Sequence, residues 1–239
     1  MIKVSGLGIS LGGKKILEDI SFSLPEDENL VILGRSGSGK TVLMKSLLGI
    51  YTPDEGSVEI DGINLYKCAK TECSRIKQSF AMVFQHAALL DSFNVYQNVA
   101  LPLYERGEKD EARIMSRVLE CLHLVGLQHT LELYPSELSG GMRKRIGIAR
   151  ALVYQPRYII FDEPVSGLDP ITASETLYYM SQIIKSNSAT LITITHDIAT
   201  IKDLGQKILY IEMGNMLYYG DYQGLISSKN STIQKYFAS

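Results

Sequence analysis

Residues 34–41 read Gly-Arg-Ser-Gly-Ser-Gly-Lys-Thr, a G-x-x-x-x-G-K-[ST] spacing that follows a short apolar run at 29–33 and precedes a helical pattern at 40–50. A buried strand that turns over three glycines directly into a helix leaves few architectures open. The turn belongs at the carboxyl edge of a parallel sheet that carries helices on its faces. The glycines let the loop curl so that successive backbone N–H groups point inward at a phosphate, and the helix adds the positive end of its dipole. Lys40 is placed to reach the β- and γ-phosphates and Thr41 to ligate Mg²⁺. Gly34, Arg35, Ser36, Gly37, Ser38, Gly39, Lys40 and Thr41 are therefore the candidate nucleotide loop.

A second segment carries complementary chemistry. Tyr158-Ile159-Ile160-Phe161 is a four-residue apolar strand that delivers two adjacent carboxylates, Asp162 and Glu163, to its C-terminal end. Ligand sites of open α/β sheets lie at such ends. Asp162 is expected to hold Mg²⁺, directly or through water, and Glu163 to act as general base or to position the attacking water. A solvated acidic turn ahead of Pro164 is the plainer alternative for the pair alone; the phosphate loop weighs against it.

The rest of the chain falls into three stretches. Strand patterns at 2–11, 16–24, 29–33, 57–60 and 80–84 come first, with Gly12-Gly13 marking a turn. From 94 to 155 apolar residues recur at helical spacing, as at Ile114, Val118, Leu122 and Val125, and Pro102 and Pro135 punctuate the run. Alternation then returns: strand 158–161, helix 171–185, strand 190–195, helix 198–204 and a closing pair, 207–212 and 216–219. One α/β core (about 1–93 and 156–239) with a helical insertion (about 94–155) is the expected organisation.

Composition narrows the function. With 239 residues, 45% hydrophobic and 21% charged, the chain is neither disordered nor fibrous. A net charge of −2 lacks the footprint of a nucleic-acid binder, so no nucleic-acid partner is expected. No apolar run approaches the roughly 20 residues that span a bilayer, and the opening segment reads as a strand rather than a secretory signal. Cys68, Cys73 and Cys121 form no zinc or disulfide framework and are read as small hydrophobes in a reducing compartment.

Leu138-Ser139-Gly140-Gly141-Met142 lies about twenty residues before the acidic pair. With the two motifs above it resembles the ATP-binding cassette (ABC) ATPases. The resemblance covers nearly the whole chain. It implies an ABC-type P-loop NTPase with a RecA-like core, an N-terminal antiparallel β subdomain and an inserted helical subdomain, hydrolysing ATP with Mg²⁺. It also implies a homodimer, because Ser139, Gly140 and Gly141 open a helix that in the family meets the nucleotide bound by the other subunit. By the same resemblance Gln85 senses Mg²⁺ and the attacking water, Asp169 in Ser166-Gly167-Leu168-Asp169 communicates across the dimer, and His196 contacts the γ-phosphate. His86, His123 and His129 have no such frame. One position departs from the family: the aromatic residue that stacks on adenine is here Leu11. A leucine offers apolar contact without π-stacking, so GTP is expected to compete appreciably with ATP. Leu11→Tyr should then shift the measured ATP:GTP preference towards ATP; no shift would remove that role from Leu11.

Two further stretches, 84–103 and 135–145, resemble the Mla/Mce (MlaF-like) ATPases, as do Met142 and the run Asp169-Pro170-Ile171-Thr172. That resemblance implies the energiser of phospholipid trafficking between inner and outer membranes. The partners implied are an integral MlaE-like permease, an MCE-domain lipid-binding protein reached indirectly, and room for a small regulatory subunit. The location implied is peripheral, on the cytoplasmic face of the inner membrane. The ATPase of another ABC system (an amino-acid importer or lipoprotein release) and a soluble ABC switch are the alternatives. Leu89, Leu90, Phe93 and Val95 are read equally as permease-docking surface or core, and the run Arg143-Lys144-Arg145 as a solvated helix face or a structural brace.

Overall fold

The computed structural model describes every residue except 27, 86, 186–188 and 239, with 198, 199, 203 and 238 described by backbone alone. In chain order the strands and α-helices are β1 (Ile2–Leu11), β2 (Lys14–Leu24), β3 (Leu30–Leu33), α1 (Lys40–Leu47), β4 (Glu55–Ile60), β5 (Ile63–Asn64), α2 (Lys70–Gln78), β6 (Phe80–Val83), α3 (Val95–Glu105), α4 (Glu111–Leu124), α5 (Gly140–Leu152), β7 (Tyr158–Asp162), α6 (Pro170–Lys185), β8 (Thr190–Ile194), α7 (Ile198–Leu204), β9 (Lys207–Glu212), β10 (Asn215–Gly220), α8 (Tyr222–Ile226) and α9 (Ser231–Ala238). They gather into two compact units: Met1–Phe80 with Thr190–Ser239, and Ala81–Ala189.

In the first unit the strands run in the order β5-β4-β1-β2-β10-β9-β3-β8. β1 lies antiparallel between β2 and β4, with Val4 opposite both Phe22 and Val58. β3 is parallel to β8 and β9, Val31 facing Thr193 on one side and Ile208 on the other. The sequence dictates this split. β3 and β8 are buried at every position, as strands covered on both faces must be. Along most of β2 buried and exposed positions alternate, as expected for one wet face. Tyr218, Tyr222, Tyr236 and Phe237 pack on a core of Val31, Leu33, Ile201, Ile208, Tyr210, Leu225 and Ile233.

In the second unit β6 neighbours β7. α4 buries Ile114, Val118 and Leu122, and Val125 beyond its end is buried too, as the spacing predicts. Asp110 caps α4 by accepting from the N–H groups of Ala112 and Arg113. Asn94 and Gln97 form a reciprocal capping box on α3.

Pro102 punctuates α3 without ending it: the helix continues to Glu105, and Arg106 closes the last turn on Leu103 O. α2 was not expected from the sequence and carries no readable apolar stripe, because it buries Ile76 alone. One expectation needs correction. Cys68 and Cys73 are joined in a disulfide, since the turn leading into α2 brings their α-carbons to 5.6 Å. Cys121 alone is the buried apolar thiol expected of all three, and burial pushes its pKa up to about 11.

Candidate functional site

The phosphate loop leaves β3 at Gly34 and enters α1 at Lys40. Its path depends on two glycines. A Cβ on Gly34, at φ 149°, would lie 2.1 Å from Ile211 O; one on Gly39, at φ 107°, would lie 2.6 Å from Leu17 Cδ2. The loop is closed by Ser38 N–H on Arg35 O (3.1 Å) and tied to the β9–β10 turn by Gly214 N–H on Ser38 O (3.1 Å). Lys40 Nζ curls back to donate to Gly34 O (2.6 Å) and Arg35 O (3.0 Å), which holds the ammonium at the loop.

Two features fit an anion here. α1 starts on Gly39 without a side-chain cap, so its first N–H groups have no side-chain acceptor there. Ser38 Oγ is buried with no hydrogen-bond partner, an unspent donor within the loop. Thr41 is exposed on the first turn of α1.

The same unit holds two more of the expected residues. Leu11 ends β1 opposite Lys14 and is 38% exposed. His196 is exposed just beyond β8, in a bend pinned from several sides. Thr195 N–H donates to Ile32 O (3.3 Å), Asp197 N–H donates to Thr195 Oγ1 (3.0 Å), and Tyr236 O–H lies 3.3 Å from His196 O. Asp197 also caps α7 by accepting from Thr200 N–H (2.7 Å).

The second unit carries the others. Asp162 is the last residue of β7, and Glu163 turns the chain at φ 51°. A non-glycine residue in that region costs roughly 1–3 kcal/mol, so neighbouring contacts must hold it. Gln85 is exposed after β6 and donates through Nε2 to Ser166 Oγ (3.3 Å). Ser139 caps α5, its Oγ accepting from Met142 N–H (3.2 Å). Gly140 and Gly141 form the first turn of α5, and a Cβ on Gly141 would meet Thr172 Cγ2 at 2.0 Å. Asp169 accepts from Thr172 Oγ1–H (2.6 Å) and N–H (3.1 Å), and those bonds hold its carboxyl below the usual range. Among the described residues no cluster of three or more His, Cys, Asp or Glu could hold a metal by itself.

For three residues that shape this unit, sequence reasoning gave no role or left it open. Asn98, fully buried on α3, accepts from Leu90 N–H (2.8 Å) and donates to the carbonyls of Leu90, Phe93 and Asn94. Arg150 on α5 donates to Ala87 O (2.6 Å) and Ala88 O (2.8 Å), both residues at positive φ. Together they brace the segment after Gln85 from two helices; His86 lies outside the described residues. Lys144 is the third: it is buried, and its Nζ donates to Ser166 O (2.6 Å). No local pattern marks these side chains, whose partners are carbonyls distant in sequence or in an irregular loop. The apolar residues of the braced segment divide. Val95 is core, Leu89 and Phe93 are half-buried, and Leu90 is 42% exposed.

Comparison with known proteins bears on the family and the fold. The profile of the family described as "ABC transporter" matches residues 17–166. The probable ribonucleotide transport ATP-binding protein mkl of Mycobacterium tuberculosis is 38% identical over 98% of this chain, which spans 66% of that protein's length. The methionine import ATP-binding protein MetN of Clostridium tetani is 35% identical over 98% of this chain and 74% of its own. Among solved structures, cbiO1 from Clostridium perfringens, part of the ABC transporter complex cbiONQ, aligns with a TM-score of 0.87 at 28% identity, covering 98% of this chain and 93% of that one. The ATP-binding cassette MJ0796, solved as a dimer in a post-hydrolysis state with ADP and Pi, aligns at 0.81 with 29% identity over 92% of this chain and 98% of its own. The family match, the relatives and the loop geometry lead to one conclusion: this chain belongs to the ABC transporter family, as one of its ATP-binding ATPase cassettes.

Proposed function

We propose that the chain is the ATP-hydrolysing subunit that energises phospholipid trafficking between inner and outer membranes, working as a homodimer docked on an MlaE-like integral permease that acts with an MCE-domain protein. The observation that carries the ATPase part is the phosphate loop, with Lys40 curled into it and Ser38 Oγ unspent. In this reading the residues at 34–41 bind the nucleotide phosphates and Leu11 touches the base. Thr41, Gln85 and Asp162 would hold Mg²⁺, which would supply charge neutralisation to the phosphates. Glu163 takes the proton from the attacking water, and His196 bonds the γ-phosphate. Ser139, Gly140 and Gly141 serve the nucleotide of the second copy, and Asp169 carries the signal between copies. Binding energy drives closure, because the two copies fit each other best with γ-phosphate present. The segment after Gln85, roughly 86–105, carries the coupling face.

The lipid assignment is supported by the likeness of 84–103 and 135–145 to the Mla/Mce ATPases. No helix among the described residues is long and apolar enough to cross a membrane, which fits a subunit that reaches the bilayer through a partner. The MetN likeness favours a second reading, the ATPase of a solute importer. Purification from native membranes in gentle detergent, with mass spectrometry of retained proteins, tests both. A multi-span permease arriving with an MCE-domain protein is the expected result. A permease with a solute-binding protein overturns the lipid assignment in favour of the importer.

A further inference from the structure

Lys144 stands in a run of three cations, and its neighbours are engaged elsewhere. Arg143 donates to Leu138 O (2.5 Å). Arg145 lies 3.6 Å from Glu175 and over the Tyr179 ring. Lys144 is 8% exposed and points its ammonium at Ser166 O, 2.6 Å away. Ser166 closes the turn that begins at Glu163, but its own closing bond, Ser166 N–H on Glu163 O, is long at 3.3 Å. The bond from Gln85 Nε2 to Ser166 Oγ is equally long, and Leu168 N–H reaches Val165 O at 3.2 Å. Hydrogen bonds weaken at these lengths, whereas a short bond from an ammonium is charge-assisted. A cavity of about 430 Å³, lined by Gln85, Gly140, Lys144, Ser166 and Leu168, opens beside the turn. Lys144 therefore gives the turn a charge-assisted anchor beside its own longer backbone bonds.

We infer that Lys144 is a positioning residue for hydrolysis: from the second turn of α5 it fixes the Glu163–Ser166 turn, and through Ser166 it fixes Gln85. This rests on the reading of Glu163 and Gln85 given above. The site holds the cation at a cost, since burial lowers the Lys144 pKa, and the Glu163 charge partly offsets that effect. A side chain kept for packing alone needs no charge there. α5 begins at Gly140, so the same helix that presents Ser139, Gly140 and Gly141 also sets the geometry of the carboxylate in its own chain.

The test is steady-state ATP hydrolysis by the full-length protein carrying Lys144→Met, Lys144→Gln or Glu163→Gln, with melting temperature and backbone amide exchange recorded for each. Lys144→Met keeps most of the apolar stem, one atom shorter, and removes donor and charge. Its kcat is expected to fall about tenfold or more while KM for ATP stays within roughly twofold, because a displaced carboxylate affects turnover rather than binding. Lys144→Gln, with a shorter uncharged donor, is expected to fall between Met and wild type. Amides at 163–168 are expected to exchange faster in both variants. A Lys144→Met enzyme with wild-type kcat overturns the inference, and so does a joint decline of kcat and KM that tracks melting temperature. If Lys144→Met does not fold, Lys144→Gln decides alone: lowered kcat with faster exchange at 163–168 supports the inference, and no change in either overturns it. Near-normal turnover in Glu163→Gln is a separate outcome. It removes the reading beneath the inference, whatever Lys144→Met does.

Discussion

Glu163→Gln is expected to stop steady-state ATP turnover while leaving nucleotide affinity in place. Glutamine keeps the size of the side chain and one acceptor oxygen but cannot take a proton from water. Loss of a general base costs about 100-fold or more in kcat. The substitution changes no residue of the 34–41 phosphate loop. ATP should therefore bind, close two copies of the chain around the nucleotides and remain there. Size-exclusion chromatography with ATP should show a dimer that wild-type protein holds only transiently, and a coupled phosphate assay should read near background. Turnover close to wild type would mean that another residue takes the proton and that Glu163 is a turn residue after β7.

Gly34→Ala is the second large effect. The added methyl carbon would sit 2.1 Å from Ile211 O and 2.6 Å from Ser38 Oγ, at a φ of 149° that side-chain-bearing residues rarely adopt. Ser38 Oγ can rotate aside, but the backbone oxygen of Ile211 cannot easily yield. Ile211 lies on β9, whose register against β3 pairs Leu33 with Tyr210. The loop must move instead, and it moves away from the path on which Lys40 reaches the carbonyls of Gly34 and Arg35. The expected cost is about 2–4 kcal/mol, as for other overpacked sites. In a chain of this size that lowers the melting temperature by roughly 5–10 °C. Affinity for a fluorescent ATP analogue should fall about 100-fold, equivalent to about 2.8 kcal/mol. Wild-type affinity together with wild-type melting would show that the loop has slack that the geometry does not reveal.

What could be read in the sequence was whatever depends on neighbours along the chain. The strand–glycine-loop–helix unit at 30–47, the apolar stripe of α4 and the cap at Ser139 are local patterns, and they appear where expected. α2 was hidden because a helix that buries one residue has no stripe to detect. The Cys68–Cys73 link was hidden because five residues of separation do not reveal which way the intervening turn folds. Lys144 looked like its neighbours Arg143 and Arg145, and what separates them is a carbonyl twenty-two residues further on. Asn98 likewise gave no sign that four backbone groups converge on one amide. The candidate site was legible as a set of residues; the bonds that hold those residues in place were not.

The contact between Gly141 and Thr172 has a consequence for how such a chain can vary. No side chain fits at 141 while Thr172 holds its rotamer, and that rotamer is fixed by the bond from its hydroxyl to Asp169. The two positions are therefore not independent under mutation. A methyl group at 141 becomes tolerable only when 172 loses its Cγ2: serine does so and keeps the hydroxyl for Asp169, whereas alanine removes both. Evolution along this line is therefore funnelled through serine at 172 before it can gain anything at Gly141, which makes the pair a steric lock on the sequence as much as on the structure.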